Sequence, residues 1–200
     1  GRELTFSKLK PALKKRQILI IGGGPAGMKA ATVAASRGHE VKLIEASSKL
    51  GGQINLAEKL PGRSEFGGIT TNLANKLNSQ NVEIKLNTKV SADFVIQEAP
   101  EVVILATGGR SFEPIIEGRE NAHVVTAWQI LEGKANVGSR VAIADWRCDW
   151  VGLGLAELLA RQGCHVRLAC NGMVPGQTVN QYVRDNWLGI LHKLNVKTLT

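Results

Sequence analysis

Several common kinds of protein are excluded by what this chain lacks. No apolar run approaches the ~20 residues of a membrane-spanning helix. Cysteine is scarce, at three residues, Cys148, Cys164 and Cys170. They form no C-x-x-C pair, which argues against a dithiol centre of that type. Three thiols without a framework spacing suit a reducing compartment, the cytoplasm. Aromatics make up only 4% of the chain and do not interleave with basic residues. A stacking platform for nucleic acid is therefore absent, although the net charge is +8. Five of those eight charges fall in residues 1–16, where six basic residues face Glu3 alone. That stretch lacks an apolar signal core. It reads as a basic linker, solvated or docked on another part of a larger protein. The four histidines, His39, His123, His165 and His192, have no metal-ligand spacing, and there is no G-x-S-x-G. No catalytic or metal-binding residue is assigned.

Glycine is what the chain does have, 22 residues of it. The run Ile18-Leu19-Ile20-Ile21 reads as a buried strand, and it leads into Gly22-Gly23-Gly24-Pro25-Ala26-Gly27. Gly22, Gly24 and Gly27 fit G-x-G-x-x-G. Residues from Pro25 to Arg37 read as a helix and Glu40 to Glu45 as a second strand. Glu45 stands 23 residues after Gly22, close to where a dinucleotide-binding unit places its ribose-binding acid. Each glycine has a physical task. Gly22 permits the sharp turn, Gly24 lets the backbone approach a pyrophosphate, and Gly27 lets the helix pack closely on the strand. The helix N-terminus then offers N–H groups and the positive end of its dipole to phosphate. Glu45 accepts from a ribose 2′-hydroxyl and repels a 2′-phosphate, which favours FAD, NAD or ADP over NADP.

Further along, residues 46–63 read as a loop carrying Gly51-Gly52-Gln53, placed to lie along the ribose or the flavin side of a pyrophosphate. Glu65 to Ser79 has helical spacing. Val82 to Leu86 and Val90 to Ile96 alternate like strands, and Val102 to Ala106 reads as a buried strand ending in Thr107-Gly108-Gly109. The small-residue turn Ala106-Thr107-Gly108 lets the backbone pass close to a cofactor held by the first motif; alone it would be an ordinary turn.

A second βαβ unit starts at Arg140. Its expected elements are a strand over Val141 to Ala144, a helix from Trp150 to Arg161 and a strand from His165 to Ala169. A further helix over 179–194, broken near Gly189, and a strand from Val196 to Thr200 follow. Here the fingerprint is degenerate. Arg147 and Asp149 stand where the first two glycines belong, and only Gly152 matches the third. The strand that follows ends without an acid. A working NAD site is therefore doubtful there, and Asp145, Arg147 and Asp149 read as a structural salt-bridge group. The fold class is α/β, two Rossmann-like βαβ units of the two-dinucleotide-binding flavoprotein type. Residues 17–138 form the FAD- or ADP-binding part and residues 139–200 the second, incomplete unit. The chain reads as a fragment of something longer.

These motifs resemble the C-terminal half of a multidomain flavoprotein family. It includes trimethylamine and dimethylamine dehydrogenases, 2,4-dienoyl-CoA reductase and N-methyl amino-acid demethylases, the old yellow enzyme-like NADH:flavin oxidoreductases. The residues that carry the resemblance run from Ile20 to Ala31, then Gly38 to Val41 with Glu45, Leu50 to Gln53 and Ala106 to Gly108. The Asp145 to Leu155 stretch looks most like the amine dehydrogenase and demethylase branch. The resemblance implies FAD, or ADP as a structural relic, bound in this half. It implies FMN in a barrel and a 4Fe-4S cluster, both outside this chain, so that the chain alone is catalytically silent. The implied partners are that FMN barrel of the same protein and an external electron acceptor, not nucleic acid or a membrane. The candidate cofactor-binding residues are Gly22, Gly24, Pro25, Ala26, Gly27, Glu45, Ala46, Gly52, Gln53, Val90, Ala106, Thr107 and Gly108.

Overall fold

A computed structural model describes residues 9–200. The part of the basic stretch before Leu9 lies outside the described residues. The chain divides into two compact units, one comprising residues up to Glu58 with Glu65–Arg110, the other Lys59–Ser64 with Ser111–Thr200.

The first unit is built on a parallel sheet of four strands, β1 (Gln17–Ile21), β2 (Glu40–Ile44), β3 (Glu83–Lys85) and β4 (Val102–Leu105), in the order β3-β2-β1-β4. β1 is the hinge of that order. It pairs with β2 on one side, Ile20 opposite Leu43, and with β4 on the other, Ile20 opposite Ile104. In an open parallel sheet, ligands bind beyond the strand ends where the order reverses, and that place here is the end of β1. One face of the sheet is covered by α1 (Pro25–Ser36) and α3 (Gly67–Ser79). Met28, Ala31 and Ala34 of α1 and Leu73 and Leu77 of α3 pack with Ile18, Ile20, Val41 and Leu43. Their spacing of three and four residues puts them on one helix face. Burying each of the larger side chains contributes about 1.5–3 kcal/mol.

Three expectations are corrected in this unit. Residues 92–98 are a helix, α4 (Ala92–Glu98), not part of a strand. Ser91 caps it, its hydroxyl accepting from the Phe94 N–H, and Asp93 lies in its first turn. Those capping signals outweigh a short run of alternating residues. The 46–63 loop contains a single helical turn, α2 (Ile54–Ala57). β3 is one residue shorter at each end than expected. The basic residues preceding β1 are engaged rather than bare: Lys14 and Arg16 lie 3.7 and 3.8 Å from Glu101 and Lys15 lies 3.4 Å from Glu40. These are exposed pairs and add little stability.

The second unit has a parallel sheet β5 (Arg140–Asp145), β6 (His165–Cys170), β7 (Lys197–Leu199) in that order. α5 (Ala127–Glu132) precedes it and was not foreseen. Its capping box, Thr126 with Gln129, is a readable T-x-x-Q signal. α6 (Trp150–Arg161) and α7 (Gln181–Lys193) pack Leu153, Ala156, Leu159, Trp187 and Leu191 against Ile143, Val166 and Leu168. α7 continues through Gly189 without a break. The buried carboxylate of Glu157 accepts from Arg161 at 2.8 Å and from the Trp187 indole N–H at 2.7 Å, so its burial carries no unpaired charge. Arg63 stacks over Trp150 and Trp187, 4.6 and 5.3 Å from their ring centres.

Candidate functional site

Where β1 ends, the chain turns at Gly22 with φ +114°, a conformation that side chains rarely adopt. The Gly22 N–H donates to the Ile44 carbonyl, and the Ala106 N–H donates to the Ile21 carbonyl, both at 2.8 Å. The ends of β1, β2 and β4 are thereby held level, with the Ala106-Thr107-Gly108 turn beside the glycine turn. A Cβ on Gly22 would stand 2.3 Å from the Ala106 carbonyl oxygen. A Cβ on Gly27 would stand 1.9 Å from the Gly22 oxygen and 3.3 Å from the Ala106 Cβ. These two glycines are required by packing within the protein.

Gly24 differs. Its φ of −73° and ψ of 177° suit any residue, and a Cβ there would meet only the Gly52 Cα, at 3.9 Å. The protein itself leaves the space over Gly24 open. Gly24 is also the N-cap of α1, and no side chain caps that helix; Pro25 follows at its first turn. An uncapped N-terminus presents unsatisfied N–H groups and a positive dipole end. Gly51-Gly52-Gln53 approaches from the other side. The Gly51 N–H donates to the Gly23 carbonyl at 2.9 Å. Gln53 Nε2 lies 3.4 Å from the position of a Cβ on Gly108, so the three small-residue turns converge.

Glu45 directly follows β2 and is half-buried. One carboxylate oxygen accepts from the Gly23 N–H at 2.6 Å, the other from the Ser47 N–H at 2.7 Å and the Ser47 hydroxyl at 2.8 Å. Burial raises its pKa, but the donors Ser47 and Gly23 outweigh this and hold it below the usual glutamate range. The anion therefore persists, with lone pairs left for further donors. Ala46 is exposed beside it. Val90 sits in the loop before α4, pinned near this turn because Asn87 N–H donates to the Ser47 carbonyl and Thr88 N–H to that of Glu45. All thirteen sequence candidates lie on these converging turns or, for Val90, on the loop tied to them. Gly23 and Gly51, named in the glycine motifs but not among the thirteen candidates, also form these turns, and Ser47 was not foreseen. Gly23 is buried against Glu45 and Leu50, and a Cβ there would stand 3.0 Å from a Glu45 oxygen.

The depressed pKa sets a pH dependence. Glu45 gains stability from its donors above the unfolded-state pKa and loses it as pH falls through the lower folded-state value. Glu45→Gln is expected to flatten the acid limb of the stability curve, measured as denaturation midpoint against pH. An unaltered acid limb would mean that these donors do not stabilise the anion.

A cavity of about 520 Å³ lies at the opposite ends of β1 and β2, lined by Gln17, Leu19, Glu40, Lys42, Glu83 and Glu98. Lys42 lies on its wall, paired with Glu98 at 2.6 Å and Glu83 at 3.4 Å, and no glycine lines it.

In the second unit the corresponding helix end is closed. Asp149 caps α6, accepting from the Val151 N–H at 2.9 Å, and pairs with Arg147 at 3.0 Å. Asp145 accepts from the Arg147 and Cys148 N–H groups. Of the expected salt-bridge group, Arg147 pairs with Asp149, and Asp145 is held by backbone N–H groups instead. Cys148 and Cys170 converge on Asp145, which their 22-residue separation in sequence did not reveal.

A glycine turn, an uncapped helix and a strand-end acid at the point of strand reversal define an α/β dinucleotide-binding protein. Residues 16–200 match the family model described as pyridine nucleotide-disulphide oxidoreductase, and the chain belongs to that family. It is 40% identical over 171 residues to the N,N-dimethylglycine/sarcosine dehydrogenase of Chromohalobacter salexigens, covering 82% of this chain and 25% of that one. It is 39% identical over 169 residues to the probable N-methylproline demethylase of Rhizobium meliloti, covering 84% and 25%. The solved structure of a 2-naphthoyl-CoA reductase complex superposes with a TM-score of 0.90 at 34% identity, over 96% of this chain and 29% of that one. The chain thus spans about a quarter of the length of these relatives. They are the flavoprotein family that the motifs resemble. Among the described residues, no helix is long and apolar enough to cross a membrane.

Proposed function

We propose that this chain is the FAD-binding module of a multidomain flavin-dependent oxidoreductase acting on an amine or N-methyl amino acid. The observation that carries the reading is the open space over Gly24 at an uncapped helix end. The residues fit the cofactor: that cradle would be filled by a Cβ, and the donors around it suit a diphosphate. The Gly24, Ala26 and Gly52 backbone would hold the pyrophosphate, and Glu45 the adenosine ribose. Ala46 and Val90 would contact the adenosine half, and Gln53 with Ala106, Thr107 and Gly108 would contact the flavin half. Bound FAD supplies a redox-active ring that accepts and passes on electrons. The chain's own groups bind and orient. Substrate chemistry belongs to an FMN barrel with a 4Fe-4S cluster elsewhere in the same protein. That barrel is the partner, with an external electron acceptor, and neither nucleic acid nor a membrane is. The relatives' printed activities support the amine class, and the scarce, unpaired cysteines support a cytoplasmic setting.

A second reading, ADP held as a structural element, rests on the same cradle, because the glycine turn and Glu45 recognise only the ADP half. The second unit is assigned no pyridine nucleotide. Asp149 already occupies the α6 helix end where a pyrophosphate would sit, and its charge repels one. Competition tests both statements. FAD and ADP are expected to compete for one site, and 2′-phosphorylated ADP to bind at least about tenfold more weakly, the scale of one unfavourable charge contact. NADH is expected to leave the spectrum of the FAD-loaded protein unbleached. Equal binding of the 2′-phosphate would remove Glu45 from the ribose, and rapid bleaching by NADH would place a working nucleotide site on the second unit.

A further inference from the structure

We propose that Asp145, Cys148 and Cys170 form a binding site for a borderline-soft divalent cation of the zinc class. The three residues come together at the ends of β5 and β6. In the parallel register Asp145 pairs directly with Cys170, and the turn after β5 brings Cys148 back over them. One carboxylate oxygen and the two sulfurs lie within 4.8 Å of one another. An ion at their centre would be no more than about 2.8 Å from each, against Zn–S of about 2.3 Å and Zn–O of about 2.0–2.2 Å, so a contraction of a few tenths of an ångström closes the site.

The decisive observation is the Asp145 carboxylate. The residue is 7% exposed, and its Oδ2 is buried without a hydrogen-bond partner. Its Oδ1 is occupied by the Arg147 and Cys148 N–H groups. A buried carboxylate oxygen is costly unless something compensates it. The guanidinium of Arg147 makes its ion pair with Asp149 and offers Asp145 only a weaker, indirect attraction. A bound cation compensates it. Two thiols beside the same carboxylate supply the donor set that zinc favours over magnesium or calcium.

The surroundings preserve this arrangement. Cys148 is 3% exposed and sits at φ +49°, a backbone region few side chains occupy. Its carbonyl is fixed by the Thr178 N–H at 3.1 Å and the Thr178 hydroxyl at 2.9 Å. Gly152 leaves room for the carboxylate, since a Cβ there would stand 2.2 Å from Oδ2. Gly172 leaves room for the Cys148 sulfur, 2.9 Å from a Cβ at that position. One carboxylate and two sulfurs are thus crowded together at the ends of β5 and β6. Cys170 is only half-buried, which gives an ion a way in. Binding forms two metal–sulfur bonds and one metal–oxygen bond, releases the two thiol protons to solvent, and leaves a fourth position for water. No electron is transferred.

The test is titration of the reduced protein with Co²⁺, read by the sulfur-to-cobalt charge-transfer absorption, followed by Zn²⁺. The expected result is one equivalent of bound Co²⁺ with that absorption, erased by Zn²⁺. Cys170→Ser is expected to weaken binding about 100-fold or more, beyond what loss of a mere supporting group costs. Asp145→Asn is expected to weaken it in the same direction, and Cys164→Ser to leave it unchanged. Because Cys170 is half-buried, its serine variant keeps the test decisive if Asp145→Asn fails to fold. Absence of the absorption in the wild-type protein, or its persistence at full affinity in Cys170→Ser, would overturn the proposal. FAD binding to the first unit is read separately, so the two accounts stand or fall independently.

Discussion

Gly24→Val is expected to leave the protein folded and to weaken FAD and ADP binding at least about 100-fold, a loss of about 2.7 kcal/mol. Both halves follow from the local geometry. The Gly24 backbone is extended, as a residue before proline should be, and its φ of −73° imposes no strain on valine. The nearest atom to a new Cβ is the Gly52 Cα at 3.9 Å, so the protein can accept it. The branched side chain then projects into the space between the two glycine turns, where a diphosphate must come within hydrogen-bonding distance of backbone N–H groups. Retained affinity with an unchanged melting temperature would mean that the phosphates lie elsewhere.

Gly27→Ala is expected to do the reverse, striking the fold first. Its Cβ would stand 1.9 Å from the Gly22 oxygen, so α1 must move off β1. Overpacking of this kind costs about 1–3 kcal/mol, and more where the neighbour is backbone. For a chain of this size that lowers Tm by roughly 2–12 °C. The shift would also separate Gly22 from the Ala106 turn and disorganise the site. Thermal denaturation of the nucleotide-free protein checks it; a change under about 1 °C would show that α1 is not seated closely on β1. The contrast between these two glycines, three residues apart, separates binding from packing.

Much of this was legible before any coordinates. The apolar run into Gly22, the helix after Pro25 and the acid at Glu45 carry periodicity and spacing that admit few alternatives, and the structure places them as expected. The degenerate second fingerprint was legible too, because Arg147 and Asp149 stand where bare glycines belong; the cap that Asp149 makes on α6 was not. What stayed hidden depends on tertiary register. Nothing in the sequence pairs Asp145 with Cys170; the parallel alignment of β5 with β6 does. The bond from the Gly23 N–H to Glu45 likewise needs two strand ends brought level. Residues 90–96 misled because a seven-residue run is too short for periodicity to decide, and the Ser91 cap was the better signal.

The most direct test of the central claim is to denature the purified protein and identify the released nucleotide by mass spectrometry, after recording its visible spectrum. The account predicts FAD in near-stoichiometric amount with flavin absorption; ADP without flavin would retain the cradle but assign it the structural role. Protein that carries neither, and takes up neither on titration, would contradict the assignment of the Gly22 to Gly27 turn as a dinucleotide site.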